Sequence, residues 1–168
     1  MRISTAQKGF GIIEIVIGVA IITISLLGVM LSAKVSFQII SENLRRVQAN
    51  FLAEEGIEAL KTIRDDGWTA NIAPVTTGSD YHLVYDVGTN KWTVVAGILA
   101  DQIDSTFTRT IRLDTVMRDV ANGTQDIVFG GGTVDAGTRK VTVTISWPGR
   151  AGVKTQAIST YMTNIFAN

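Results

Sequence analysis

Few side chains in this 168-residue chain have the types and spacing that chemistry requires. It contains no cysteine, which excludes disulfides, thiol nucleophiles and thiolate metal sites. Its single histidine, His82, falls in the alternating stretch Tyr81 to Asp86, which reads as a strand, and a histidine-based zinc site would need partners the chain lacks. Serine and aspartate are present, but nothing marks a nucleophile elbow. Gly130-Gly131-Gly132 is followed by neither the lysine–serine pair nor the helical pattern of a phosphate loop, so it reads as a flexible loop. Asp65-Asp66 offers two carboxylates without the spaced oxygen ligands of a calcium loop, and reads as a solvated helix end. The expectation is therefore no catalytic residue, no metal site, no cofactor and no enzyme activity. One acid stands apart. Glu14 sits near the start of an apolar run, where a carboxylate at mid-membrane costs about 2.5–3.5 kcal/mol and less towards the interface. A charge retained at that cost is expected to have a task.

The element that positions Glu14 is the apolar run itself. From Ile15 to Ala33 no side chain is charged, and nineteen residues at about 1.5 Å of rise come close to the ~30 Å hydrocarbon core of a bilayer. The run is longer than the core of an ordinary secretory signal, and the only small-residue site after it, Leu31-Ser32-Ala33, carries a bulky leucine three residues before the cut. Arg2 and Lys8 precede the run, while Lys34, Arg45 and Arg46 follow it, so positive charge does not by itself orient the span. Over the whole chain 15 basic residues balance 15 acidic ones, which gives no global drive towards nucleic acid or anionic lipid.

Gly9-Phe10-Gly11-Ile12-Ile13-Glu14, set between Lys8 and the apolar run, resembles the class III signal of type IV prepilins and the related pseudopilins. The resemblance implies a leader of residues 1–9, cleavage between Gly9 and Phe10 by a prepilin peptidase, N-methylation of Phe10, and a role for Glu14 in assembly. It also implies a cytoplasmic leader, an extracytoplasmic domain and a single-pass precursor in the inner membrane. Its implied partners are other pilin subunits, the inner-membrane assembly platform and the membrane, with no nucleic acid directly indicated. Gly11 stands where many members carry threonine or serine, and the proline that many major pilins carry within the membrane helix is missing.

Helical character continues past the span. Ile40, Leu44, Val47 and Phe51 share one face, and Ala49, Ala53, Ile57, Leu60 and Ile63 form a second stripe rotated by roughly 160° from the first. The first stripe is expected to face neighbouring helices in an assembly and the second the chain's own domain. Glu42 is expected to pair with Arg45 or Arg46, and Glu58 with Lys61. Gly67 should close the helix in the left-handed conformation, with Trp68 folding back onto Ile63. The segment from Leu52 to Asp65 also resembles an A-x-E-G-I-E and I-R-D pattern of bacterial pilin-like proteins.

Beyond Gly67 the period shifts to two. Tyr81–Asp86 and Lys91–Val95 read as a hairpin across Val87-Gly88-Thr89-Asn90, Thr106–Met117 as a third strand, and Val141, Val143, Ile145 and Trp147 as one face of a fourth. Pro148 to Gly152 should turn the chain into a last strand from Val153 to Met162. The expected fold is α+β: a long N-terminal helix, with a membrane half (10–33) and an amphipathic half (34–67), packed on a small antiparallel sheet domain (68–168). In function the reading is a structural subunit, a minor pilin of a type IV pilus, serving adhesion, motility or DNA uptake. A pseudopilin of a type II secretion system and a signal-anchored extracytoplasmic binding domain are the alternatives. The C-terminal hairpin, which resembles that of pilin-like proteins associated with minor pilins, favours the first.

Overall fold

The structure, a computed structural model, describes residues 11–100, 103–121 and 123–166. The expected cleavage site, Gly9 and Phe10, lies outside them. The described residues form two helices and six strands: α1 (Ile12–Asp66), α2 (Trp68–Asn71), β1 (Asp80–Asp86), β2 (Lys91–Ala96), β3 (Thr108–Arg118), β4 (Ile127–Val128), β5 (Thr133–Gly149) and β6 (Gly152–Thr163). Two compact units divide between Leu44 and Arg45, within α1.

In the N-terminal unit α1 is apolar nearly all round, from Ile12 to Ile40, and its large hydrophobic side chains are exposed. Its hydroxyls are satisfied within the helix. Thr23, Ser25, Ser32 and Ser36 each donate to the carbonyl four residues back, at 2.8–3.0 Å. Such back-bonding leaves no hydroxyl seeking water between Ile15 and Ala33.

The second unit is an α+β domain in which the rest of α1 packs on an antiparallel sheet of order β2-β1-β3-β5-β6, with β4 paired to β3. The second stripe faces the sheet as its spacing predicts: Ala49, Ala53, Ile57, Leu60 and Ile63 are all buried, against Ile111, Leu113, Val141, Val143 and Ile145. Along β5 the alternation is strict, with Val141, Val143, Ile145 and Trp147 buried and Thr142, Thr144 and Ser146 half-buried between them. Gly56 is the point of closest approach. A Cβ there would lie 2.9 Å from Val143 Cγ1 and 3.2 Å from Arg109 Cδ, so only glycine lets the helix backbone settle this low.

One cation is enclosed in this interface. Arg109, 3% exposed, donates from Nη1 to the Leu52 carbonyl at 3.4 Å and meets Glu55 Oε2 at the same distance. Its guanidinium also lies 5.5 Å from the centre of the Trp92 ring. Burial pulls its pKa below the usual arginine value, and Glu55 opposes that shift.

Several expectations need correction. Gly67 has positive φ (151°) but ψ of 109°, which is not the left-handed helical conformation. The chain restarts at once as α2, burying Trp68 in the cluster that contains Ile63, while Asn71 Nδ2 donates to the Ile63 carbonyl at 3.3 Å. Glu42 forms no ion pair among the described residues; Arg45 instead donates to the Pro148 carbonyl at 2.9 Å, whereas Glu58 and Lys61 pair at 2.7 Å. Asp65 and Asp66 are exposed at the helix end, as expected, and in addition pair with Arg64 (2.7 Å) and Lys91 (3.1 Å). The last turn is shorter than predicted. Pro148 and Gly149 belong to β5, and only Arg150-Ala151 connects it to β6. Proline is accommodated there because β3 pairs with β5 no further than Ser146, so no strand lies where its missing N–H would point. The triple glycine does lie in a loop, between β4 and β5, but Gly132 is held by packing: a Cβ would come 2.6 Å from the Arg118 carbonyl oxygen.

The β3–β5 register shifts between Thr115 and Val116, where Arg139 and then Asp135 are the partners. A polar cluster holds this irregularity. Asp135 Oδ2 accepts from Arg118 Nε (2.6 Å) and from the buried Thr138 hydroxyl (2.7 Å), and Oδ1 accepts from the Gly137 N–H (2.9 Å). Arg118 foremost, then Thr138 and Gly137, hold the Asp135 carboxyl below its usual 3.8 against the opposing effect of burial. A depressed folded-state pKa stabilises the fold above the unfolded value, and that stability is lost as pH falls through the folded value.

Two measurements check these contacts, both by thermal unfolding of the detergent-solubilised chain followed by near-UV circular dichroism. Gly56→Ala should cost about 1–2 kcal/mol, because overpacking against Val143 exceeds the roughly 1 kcal/mol gained in helix propensity; Gly18→Ala, which meets no atom within 4 Å, should cost nothing. Asp135→Asn should lower stability at pH 7 by about 1–2 kcal/mol, the range for a charge-assisted, partly exposed pair. The gap to the parent should begin to close below about pH 4, the unfolded value, and be lost as pH falls through the lower folded-state value.

Candidate functional site

Among the described residues, no group of three or more histidine, cysteine, aspartate or glutamate side chains is placed to hold a metal ion. His82 lies in β1 with Nδ1 3.0 Å from the Gly97 carbonyl, at the end of the β1–β2 hairpin. The candidate site is instead α1: its N-terminus and the faces it leaves open.

At the N-terminus Gly11 caps the helix. Its carbonyl accepts from the Glu14 N–H at 3.0 Å and from the Ile15 N–H at 3.4 Å. Glu14 is thereby the third residue of the helix, in the turn whose free N–H groups carry partial positive charge. That position suits a carboxylate in its own right. Glu14 is exposed, and it is the only charged residue of α1 before Lys34.

The 55-residue α1 contains a stretch long and apolar enough to cross a membrane, none of it buried. Further along, Ile40, Leu44, Val47 and Phe51 are 61%, 58%, 49% and 66% exposed, so no described residue of the chain covers the first stripe. Phe51 borders a small open pocket of about 180 Å³ with Gln48, Leu52, Asp104 and Phe107. Periodicity therefore separated the two stripes correctly: one is in the domain core, and the other faces outwards.

A feature the stripes did not reveal is the placing of small residues in the apolar half. Gly11, Gly18, Ser25 and Ser32 recur every seventh residue, and Gly11 and Gly18 have open space around them. Residues at this spacing share one helix face and let a neighbouring backbone come close, the usual contact between helices in an apolar medium. A heptad count on residue size, rather than on hydropathy, would have found it.

No family model matches the chain, and neither a curated protein nor a solved structure does.

The two stripes should respond differently to substitution. Val47→Lys should leave the domain's melting temperature within about 1 °C of the parent, as is usual for an exposed surface change. Leu60→Ala should cost about 2–5 kcal/mol by removing a fully buried side chain. Equal losses in the two melting curves would place both stripes in the core.

Proposed function

We propose that this chain is a type IV pilin-like structural subunit, held in the inner membrane by the apolar half of α1 and assembled through α1 into a helical filament. One observation carries this reading: a charge-free, exposed apolar helix with a lone carboxylate in its first turn, running on into a segment that covers the sheet of its own domain. A plain anchor has no need of Glu14 or of an exposed stripe that persists to Phe51. A filament uses both. The apolar faces pack helix against helix, and the sheet domains form the outer surface.

In this reading a prepilin peptidase removes residues 1–9 and Phe10 becomes a methylated amine. Within the membrane that amine and Glu14 stay near the interface, partly hydrated. Inside a filament both leave water, where an unpaired charge costs several kcal/mol. Glu14 of an incoming subunit then pairs with the Phe10 amine of its neighbour, which satisfies both charges and fixes the axial register. The filament is a pilus in which this chain is a minor subunit, and the paired C-terminal strands β5 and β6 favour that over a secretion pseudopilus. A retraction motor encoded alongside would support the pilus, and a secretin within a secretion cluster the pseudopilus.

Mass spectrometry of the purified protein tests processing: the expected chain begins at Phe10 with one added methyl group, and Gly9→Val should block the cut. An intact Met1 would instead mark a signal-anchored domain. For assembly, Glu14→Gln should leave cleavage and membrane insertion intact but deplete the protein from the sheared filament fraction by an order of magnitude or more, comparable to about 1.4 kcal/mol or above of lost pairing. Undiminished Glu14→Gln protein in sheared filaments would refute the pairing.

A further inference from the structure

The sheet has one long unpaired edge. β6 pairs with β5 over its full length, Gly152↔Gly149 to Thr163↔Thr138, without a register shift. Among the described residues no strand lies on its other side. Which backbone groups face that edge follows from parity. Asn164 donates its N–H to the Gly137 carbonyl, so even-numbered residues turn their backbone groups towards β5, and the odd-numbered ones turn theirs outwards. Val153, Thr155, Ala157, Ser159, Tyr161 and Thr163 therefore present an uninterrupted row of free N–H and C=O groups.

Natural edge strands of this length are blunted by proline, by bulges or by repeated charge. β6 has none of these. It contains no proline and no bulge, and its only charge is Lys154, near one end. From Thr155 to Thr163 it is uncharged and rich in residues that suit strands. By contrast the opposite edge, β2, is 6 residues long, and Lys91 at its start is tied to Asp66.

We propose that the free edge of β6 binds β6 of a second copy of this chain, antiparallel, about a two-fold axis through Ile158. Residues directly opposite in such a pair must share a face of the sheet, so odd meets odd and even meets even. The register that uses the whole row sets Val153 against Thr163, Thr155 against Tyr161 and Ala157 against Ser159, all outward-facing hydrogen-bonded pairs. On the other face Gln156 meets Thr160, Lys154 meets Met162 and Ile158 meets itself. No like charges come together, and the half-buried Ile158 side chains cover each other. The strand is thus complementary to itself in hydrogen bonding, charge and apolar contact. A two-fold axis normal to the sheet reverses every direction within it, so the 45–66 segments of α1 in the two copies run oppositely. The contact joins copies that approach from opposite directions, and it is independent of the filament reading, since it uses no residue of the N-terminal unit.

The absence of cysteine makes the test clean. In this register Ile158 forms a non-hydrogen-bonded pair with its own copy, with Cα atoms about 4.5 Å apart, within the span of a disulfide. Full-length Ile158→Cys in detergent should therefore convert to one covalent dimer under mild oxidation. Thr160→Cys lies about 13 Å from its own copy and should cross-link at least about ten-fold more slowly. Thr160→Cys mixed with Gln156→Cys should cross-link readily, which also guards against a folding defect in the Ile158 variant. Ala157→Lys combined with Ser159→Lys, two exposed positions that meet across the axis and so oppose like charges, should shift the parent from dimer to monomer in light scattering with little change in its melting curve. Equal cross-linking of the Ile158 and Thr160 variants, or failure of both Ile158→Cys and the Thr160/Gln156 mixture to cross-link, would overturn the proposal.

Discussion

The domain depends on how closely α1 can lie on the β3–β5 strand pair. Gly56 sets that distance, since the space its missing side chain would fill is already taken by Val143 and by the stem of Arg109. Once the backbone is this near, the small residues Ala49 and Ala53 suffice to close the interface at one end, and Ile57, Leu60 and Ile63 fill the wider part towards α2. The same closeness brings the Leu52 carbonyl and the Glu55 carboxylate to a guanidinium enclosed at the interface. Arg109 is a costly residue to bury, and its Nε has no hydrogen-bond partner among the described residues, but Glu55, the carbonyl and the Trp92 ring offset much of that cost. A buried charge tolerates one arrangement of its neighbours, so it also fixes where the helix lies along the sheet.

That geometry decides what α1 can offer beyond its own domain. With one stripe in the core, the opposite face carrying Leu44, Val47 and Phe51 remains open, and the apolar half before it has no cover within the described chain. The proposed filament gives both surfaces a partner of the same kind, another α1. In that proposed filament Glu14 is the group assigned to register: dispersion contacts between smooth apolar helices change little when one slides past the other, whereas a desolvated charge pair forms at one offset only.

The sheet shows a similar division. Its inner face is specified by alternation, and its long strands are pinned at the far end by the Arg118–Asp135–Thr138 cluster, which absorbs the register shift between β3 and β5. Its edges differ. β2 is short and its first lysine is held in an ion pair, while β6 is long, regular and nearly uncharged. An edge left in this state is a surface with backbone specificity already built in.

By itself the sequence determined what periodicity and composition can encode. The apolar run, the rotation from the first stripe to the second, the β1–β2 hairpin and the alternation of Val141 to Trp147 are all local patterns, because side-chain direction follows directly from 3.6- and 2-residue repeats. Glu14 was legible for the same reason, as a charge where the pattern leaves none. Tertiary structure alone decided the rest. Arg109 looks like any strand arginine until Leu52, Glu55 and Trp92 converge on it from distant segments. Arg45 was expected to find Glu42 on its own helix but found the Pro148 carbonyl, more than a hundred residues away. Gly56 gave no sign that it marks the closest contact in the fold. Pro148 looked like a turn residue, and its place within β5 depends on where β3 stops pairing. Each of these depends on the space and the hydrogen-bonding partners that other elements leave, quantities with no local period for a sequence to display.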